Sequence, residues 1–163
     1  MGEAPTLYEW AGGREAIERM IDCFYDRVEH DDLLSPLFPG GVSAAHREHV
    51  TTWWCEVFGG PAGYTERLGG YPAMLAHHRD LDITADQRFR FASLMSLAAD
   101  DAKLPADPEF RAALPTLTEA AAGPSSARTI STGCRIPSSS PASARPRASW
   151  LSGCQPGALG WPG

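Results

Sequence analysis

Two adjacent histidines, His77 and His78, have side chains that could bind a metal ion. Neutral imidazole is a common metal ligand, but imidazolium at the end of a helix also interacts favourably with the helix dipole. No HExxH motif, CxxC motif or acidic cluster accompanies the pair, which disfavours zinc. Since consecutive helical residues point about 100° apart, we expect at most one of the two to face a given pocket. A metal here would have one protein ligand and be held mostly by another group.

Tyr25 is a second residue with functional chemistry, because its hydroxyl lies on an otherwise apolar helix face. Apolar residues recur with helical spacing from Ile17 to Val28, which predicts a helix with one buried face. A buried tyrosine hydroxyl normally has a hydrogen-bond partner. From sequence alone we expect that partner to be a backbone carbonyl, with a ligand as the alternative.

Capping residues mark the helices that would position these side chains. Ser43 is a plausible N-cap for a helix with an aromatic face, and Thr84 with Gln87 forms a capping box for another. Short Gly-Gly breaks separate the helical segments. No alternating strand pattern is present, so the predicted fold class is all-α.

The C-terminal part of the sequence differs from the rest. Asp107 and Pro108 open a last helix whose apolar face continues to Leu117, but Pro115 removes a backbone donor in mid-course, and we expect the helix to end within two or three turns. Beyond it, Ser, Pro and Gly make up about half of the residues, with no acid and no lysine. We therefore predict a folded domain over 1–122, with an incomplete last helix, and a disordered tail over 123–163.

Charge and hydropathy exclude several kinds of partner. All 20 acidic residues precede Gly123, so the predicted domain is strongly acidic and unsuited to nucleic acid. No apolar run approaches the ~18 residues of a membrane span. The N-terminal residues show no secretory pattern and the four cysteines no metal-binding spacing, so we expect a cytoplasmic protein with reduced thiols.

The chain resembles the group II truncated haemoglobins in several spaced residues, namely Gly59, Gly60, Pro61, Tyr64, Glu66, Gly69, Pro72 and His78. The likeness extends from Tyr8 to about Leu114. It implies a truncated globin fold, a two-over-two helical sandwich, with haem b and its iron between the helices. A single protein ligand to iron agrees with the metal chemistry argued above for one of the paired histidines.

The resemblance also implies roles for individual residues. His78 falls on the proximal iron ligand, and Tyr25 falls on the distal tyrosine that donates to bound dioxygen. Arg47 and Thr51 fall near the two ligand-facing positions of the distal helix, although a slip of one residue would place His46 and Val50 there. The residues implied to contact the cofactor are Phe38, Trp54, Met74, His77, Leu81, Ile83, Phe91 and Met95.

Two departures from the family pattern bear on function. Phe91 stands where many members carry a distal tryptophan, so that position supplies no hydrogen-bond donor. The second departure is the incomplete last helix, which would leave the proximal side open and lower the affinity for haem.

His77 agrees with the family pattern. It falls where a basic side chain is common, and it is expected to face solvent or a haem propionate.

The function implied is reversible binding of dioxygen at haem iron. NO, CO or peroxide are further ligands, and the biological task is left open between oxygen transport and NO or peroxide chemistry, as is whether the protein is an enzyme. The alternative is a helical interaction module without haem, in which the aromatic helix faces pack together.

Overall fold

The structure, a computed structural model, describes residues 4–121. Seven α-helices and one 3-10 turn, Ser35–Leu37, make up this part of the chain, and it contains no strand, so the predicted all-α class is confirmed. The helices are α1 Leu7–Ala11, α2 Arg14–Glu29, α3 Ala44–Val57, α4 Gly63–Leu68, α5 Gly70–Arg79, α6 Ala85–Asp101 and α7 Pro108–Ala121. The predicted tail over 123–163 lies outside the described residues.

The longer helices form the body of the domain. The long helix α2 packs against α3 and α6, and α6 packs in turn against α7. The short helix α4 contacts both α3 and α5, so it connects α3 to α5, the helix that carries the two histidines. None of the helices within residues 4–121 is both long enough and apolar enough to cross a membrane.

Helix α2 supplies the centre of the core. Its buried stripe is the one predicted from spacing and contains Ile17, Met20, Ile21, Phe24, Tyr25 and Val28. Each of these side chains is at most 3% exposed. Because burying one large apolar side chain contributes about 1.5–3 kcal/mol, this stripe is a major source of stability.

Side-chain caps define where α3 and α6 begin. The Ser43 hydroxyl accepts a hydrogen bond from the backbone N–H of His46 at 3.1 Å. The Thr84 hydroxyl accepts from the Gln87 N–H at 3.2 Å, and the Gln87 side-chain oxygen accepts from the Thr84 N–H at 2.9 Å. Both predicted caps are confirmed, and they stabilise the first turns of α3 and α6.

The turn after α3 depends on glycine. A Cβ atom at Gly60 would lie 2.6 Å from the Tyr8 ring and 2.8 Å from the carbonyl oxygen of Cys55, closer than real Cβ atoms approach other atoms. Gly59 adopts a φ of +85°, which side-chain-bearing residues rarely adopt. The Glu56 carboxylate then caps α4 by accepting from two backbone N–H groups, at 3.0 and 2.9 Å.

The last helix is longer than the sequence pattern predicted. Helix α7 contains 14 residues and continues past Pro115 to Ala121. Pro115 has no N–H to donate to the backbone carbonyl of Arg111. Because Pro115 lies on the exposed side of the helix, water can donate to that carbonyl instead. Thr118 is buried and its hydroxyl donates to the Leu114 carbonyl at 2.7 Å. The helix therefore extends further than the two or three turns that the sequence pattern predicted.

Candidate functional site

An apolar cavity of about 230 Å³ lies among α2, α3, α5 and α6. Aromatic and aliphatic side chains form most of its wall, with a few polar groups among them. The lining residues are Tyr25, Leu34, Leu37, Phe38, His46, Val50, Trp53, Trp54, Tyr64, Met74, His77, His78, Leu81, Ile83, Gln87, Arg88 and Phe91. Apolar cavities with few polar groups are typical of cofactor sites.

Most residues that the sequence marked for this site meet at the cavity. Those that line it are Tyr25, Phe38, Trp54, Met74, His77, His78, Leu81, Ile83 and Phe91. Arg47, Thr51 and Met95 do not. The structure thus brings together residues that are up to 66 positions apart in the sequence.

His78 is held by a backbone hydrogen bond that determines its tautomer. Its Nδ1 lies 2.8 Å from the carbonyl oxygen of Met74. A carbonyl only accepts, so Nδ1 carries the hydrogen and donates it. Nε2 is therefore the nitrogen with a lone pair, as a metal ligand requires. Among residues 4–121, no group of three or more His, Cys, Asp or Glu side chains could hold a metal ion.

His77 also lines the cavity, so the expectation that only one of the two histidines could face it is wrong. The cavity is wide enough to meet more than one face of α5. Burial lowers the pKa of His77, and the neighbouring His78 and His49 lower it further. His77 is thus predominantly neutral at pH 7.

Tyr25 has a side-chain partner and not the backbone carbonyl that we expected. Its hydroxyl oxygen lies 2.9 Å from Nε2 of His46 on α3. The Tyr25 side chain is 3% exposed, and this burial raises the pKa of its hydroxyl, against a smaller opposing effect of Arg47. Its ring packs edge-on against Phe24 and Phe38, with ring centroids 5.0 and 5.7 Å away. Tyr25 is therefore a neutral phenol in a fixed position.

The structure corrects the register of the distal helix by one residue, since His46 and Val50 line the cavity. Thr51 is buried but is not part of the cavity wall. Arg47 reaches across the outer side of α2, where its guanidinium donates to the carbonyl of Asp22 and the carboxylate of Asp26, both at 3.0 Å. The physical reason is helical spacing: residues 46, 50, 53 and 54 share one face of α3.

Met95 was expected to contact the cofactor, but it lies elsewhere. It is fully buried in the core and is absent from the cavity wall. The cavity instead meets α6 one turn earlier, at Phe91, whose ring packs against Phe24 with centroids 4.6 Å apart. Met95 lies on the same face of α6 as Phe91, but it packs in the core and does not contact the cavity.

Two polar cavity residues on α6 were missed from sequence. Gln87 is occupied by its cap and by a hydrogen bond from its side-chain nitrogen to the Leu33 carbonyl at 3.2 Å. Arg88 has a buried Nε atom with no hydrogen-bond partner. Both lie three or four residues before Phe91, so helical spacing could have placed them on the same face. From the sequence alone, Arg88 could not be distinguished from an ordinary surface arginine.

The chain is similar to known globins in sequence. Residues 6–121 match the family described as bacterial-like globin. The group 1 truncated hemoglobin GlbN of Nostoc sp. (strain MUN 8820) is 38% identical over 72 residues, which cover 44% of this chain but only 58% of that protein. The group 2 truncated hemoglobin YjbI of Bacillus subtilis (strain 168) is 32% identical over 100 residues, covering 61% of this chain and 74% of that protein.

Solved structures of globins share the fold. The hemoglobin of Chloroflexus aurantiacus superposes with a TM-score of 0.63 at 33% identity, over 72% of this chain and 95% of that one. The group II truncated hemoglobin of Bacillus anthracis gives a TM-score of 0.66 at 29% identity, over 74% and 90%. The predicted fold and the resemblance to group II members are confirmed. Because the family match spans more than half of the sequence, the chain belongs to the bacterial-like globin family, as a truncated haemoglobin, and membership implies haem binding.

Proposed function

We propose that this protein binds haem b in the cavity, with His78 as the protein ligand to iron, and holds dioxygen reversibly near Tyr25. The observation that carries the proposal is the hydrogen bond from His78 Nδ1 to the Met74 carbonyl at 2.8 Å. It leaves Nε2 with its lone pair on a ring that lines the cavity. Small diatomic ligands such as NO and CO belong to the same proposal.

The residues present fit such a cofactor. A flat macrocycle needs apolar and aromatic walls, which Trp54, Phe91 and Phe38 supply. Leu81 lines the cavity although it is 44% exposed, and a bound macrocycle would cover it. The sequence contains no CxxCH motif, which supports a non-covalently held haem b.

The carboxylate groups of haem also have a plausible partner. Arg88 is half-buried, lines the cavity and has a buried Nε without a partner. An unsatisfied buried donor costs about 1–3 kcal/mol, and an ionised carboxylate would satisfy it strongly. We assign Arg88 to a haem propionate.

The chain itself would then control what happens to a bound diatomic molecule. Haem iron supplies the bond to the ligand when the cofactor is present. Tyr25 is a neutral phenol on the cavity wall, able to donate to a ligand that carries partial negative charge. Phe91 lines the cavity as well but has no donor. We therefore assign the hydrogen bond to the ligand to Tyr25 on α2.

Addition of hemin to the purified protein tests the proposal. We expect a Soret band with one haem per chain, and shifts of that band on reduction and on addition of CO. His78→Ala should abolish the five-coordinate ferrous spectrum. His77→Ala is the matched control, because it removes the neighbouring imidazole and should keep that spectrum. A chain that gives no Soret band would instead be a haem-free helical module.

A further inference from the structure

Tyr25 and His46 form a rigid hydrogen-bonded pair on the cavity wall. Their polar atoms lie 2.9 Å apart, and their rings meet edge-on with centroids separated by 5.4 Å. Phe38 packs edge-on against both rings, with centroids 5.7 Å from each. Three aromatic rings thus hold the hydroxyl against the imidazole, so the pair is a built feature of the cavity.

Both members of the pair are neutral near pH 7. Burial lowers the pKa of His46 to about 4, and the nearby histidines His49, His78 and His77 lower it in the same direction. Burial raises the pKa of Tyr25. A neutral phenol and a neutral imidazole have one hydrogen to share at this contact, so either the hydroxyl donates to Nε2 or Nε2–H donates to the hydroxyl oxygen.

General acid–base chemistry favours the first arrangement. A phenol, with a pKa of about 10, is a much stronger acid than the N–H of a neutral imidazole. The unprotonated imidazole nitrogen is also a stronger base than a phenol oxygen. In the arrangement that this difference in acidity favours, the Tyr25 hydroxyl donates to Nε2 of His46.

We propose that His46 competes with the cavity ligand for the hydroxyl hydrogen of Tyr25 and thereby weakens the retention of ligands that accept hydrogen bonds. Dioxygen and cyanide belong to this class, whereas CO is a poor acceptor and is little affected. His46 is a positioning residue, because it acts on the ligand through Tyr25. The inference rests on the proposed haem function and adds a determinant of ligand selectivity to it.

Dioxygen release from the haem-loaded ferrous protein provides the kinetic test. Stopped-flow rates should be measured for the wild type, His46→Leu, Tyr25→Phe and the double variant. We expect His46→Leu to release dioxygen about tenfold more slowly, which corresponds to one hydrogen bond freed for the ligand. In the Tyr25→Phe background the same change should have no effect, since the two residues act as a unit.

Two controls separate this role from a structural one. His46→Gln retains an acceptor for the Tyr25 hydroxyl, so its rate should return towards that of the wild type. The rate of CO release should be the same in the wild type and His46→Leu. Unchanged or faster dioxygen release in His46→Leu overturns the proposal, as does a slowing that persists when Tyr25 is Phe.

The tautomer of His46 gives a readout that needs no haem. Nitrogen-15 NMR of the purified chain should show Nε2 of His46 without a hydrogen, and Tyr25→Phe should shift that resonance. A protonated Nε2 in the wild type overturns the proposal. If hemin gives no Soret band, the proposed function and this inference both fail. If the band forms but the dioxygen release rates of wild type and His46→Leu agree, only the competition fails.

Discussion

Arg90 on α6 and Asp31 in the turn after α2 form an ion pair that joins two walls of the cavity. Nε of Arg90 lies 2.6 Å from one carboxylate oxygen of Asp31. The other oxygen accepts from the backbone N–H groups of Leu33 and Leu34, both at 3.1 Å. Since Leu34 and Phe91 line the cavity, this contact fixes the turn relative to α6.

Replacement of Asp31 should destabilise the fold. Asp31→Ala removes the acceptor of two backbone amides and of Arg90, so we expect a loss of about 2–3 kcal/mol in the free energy of unfolding. Urea denaturation followed by circular dichroism measures this loss. Asp32→Ala is the matched control, because its side chain is exposed, and should change stability by less than about 0.5 kcal/mol. Equal losses in the two variants would contradict a structural role for the carboxylate.

The same carboxylate should give stability a defined pH dependence. Burial pushes the pKa of Asp31 up, but the hydrogen bonds from Arg90, Leu34 and Leu33 outweigh it, so the pKa is lowered. A lowered folded-state pKa means that the unfolded chain takes up a proton first as the pH falls. The stabilisation is present above the ordinary value of about 3.9 and is lost below it. Stability of Asp31→Asn measured from pH 6 to pH 3 should decline less than that of the wild type.

A substitution in α7 tests whether the last helix belongs to the core. Phe110 is 1% exposed and packs edge-on against Trp10 and Phe58, with centroids 5.7 and 6.2 Å away. Phe110→Ala should cost about 3–5 kcal/mol in the free energy of unfolding. Thr116→Ala, at an exposed position of the same helix, should cost less than about 0.5 kcal/mol. A Phe110→Ala protein as stable as wild type would show that α7 does not contribute to the fold.

The helices could be predicted from sequence where local chemistry determines them. The stripe from Ile17 to Val28 and the caps at Ser43 and Thr84 appear in the structure as predicted. Local signals were misleading at Pro115, because a proline weakens a helix but the burial of Leu114 and Thr118 outweighs this effect. Burial depends on contacts with distant parts of the chain, which leave no local pattern.

The site was harder to predict than the fold. His78 and Tyr25 fall on strongly patterned positions, and both line the cavity. The partner of the Tyr25 hydroxyl, His46, lies 21 residues further along the chain, and only the crossing of α2 and α3 brings the two together. The local pattern could not show that the partner of the Tyr25 hydroxyl is a side chain, because side-chain pairing between helices depends on their relative rotation.

The corrected register leads to a prediction about Arg47. Its guanidinium contacts the carboxylates of Asp22, Asp26 and Glu29, at 3.3, 3.0 and 3.6 Å. Arg47→Met should therefore lower the free energy of unfolding by about 1 kcal/mol, since these carboxylates are largely exposed. Dioxygen release from the haem-loaded variant should stay within about twofold of the wild-type rate. A much larger change would restore Arg47, in place of His46, as the residue that governs the ligand.

Arg88 leads to a prediction about how firmly haem is held. Its buried Nε has no partner within the described residues, and a propionate would provide one. Hemin transfer to an excess of apomyoglobin measures the rate of haem loss. We expect Arg88→Met to lose hemin about tenfold faster, because a hydrogen bond to a charged group contributes about 1.5–3 kcal/mol. Arg19→Met removes the same charge at an exposed position of α2 and should leave the rate unchanged.

The dimethyl ester of haem separates the contribution of charge from that of packing at Arg88. Esterification removes both carboxylate charges but keeps the macrocycle that the apolar wall would contact. The Arg88 alkyl chain also packs at the cavity, so Arg88→Met could act through lost shape alone. If Arg88 binds a propionate, wild type and Arg88→Met should lose the ester at the same rate while they differ for hemin. A variant that loses both cofactors faster to the same extent would show that Arg88 only shapes the wall.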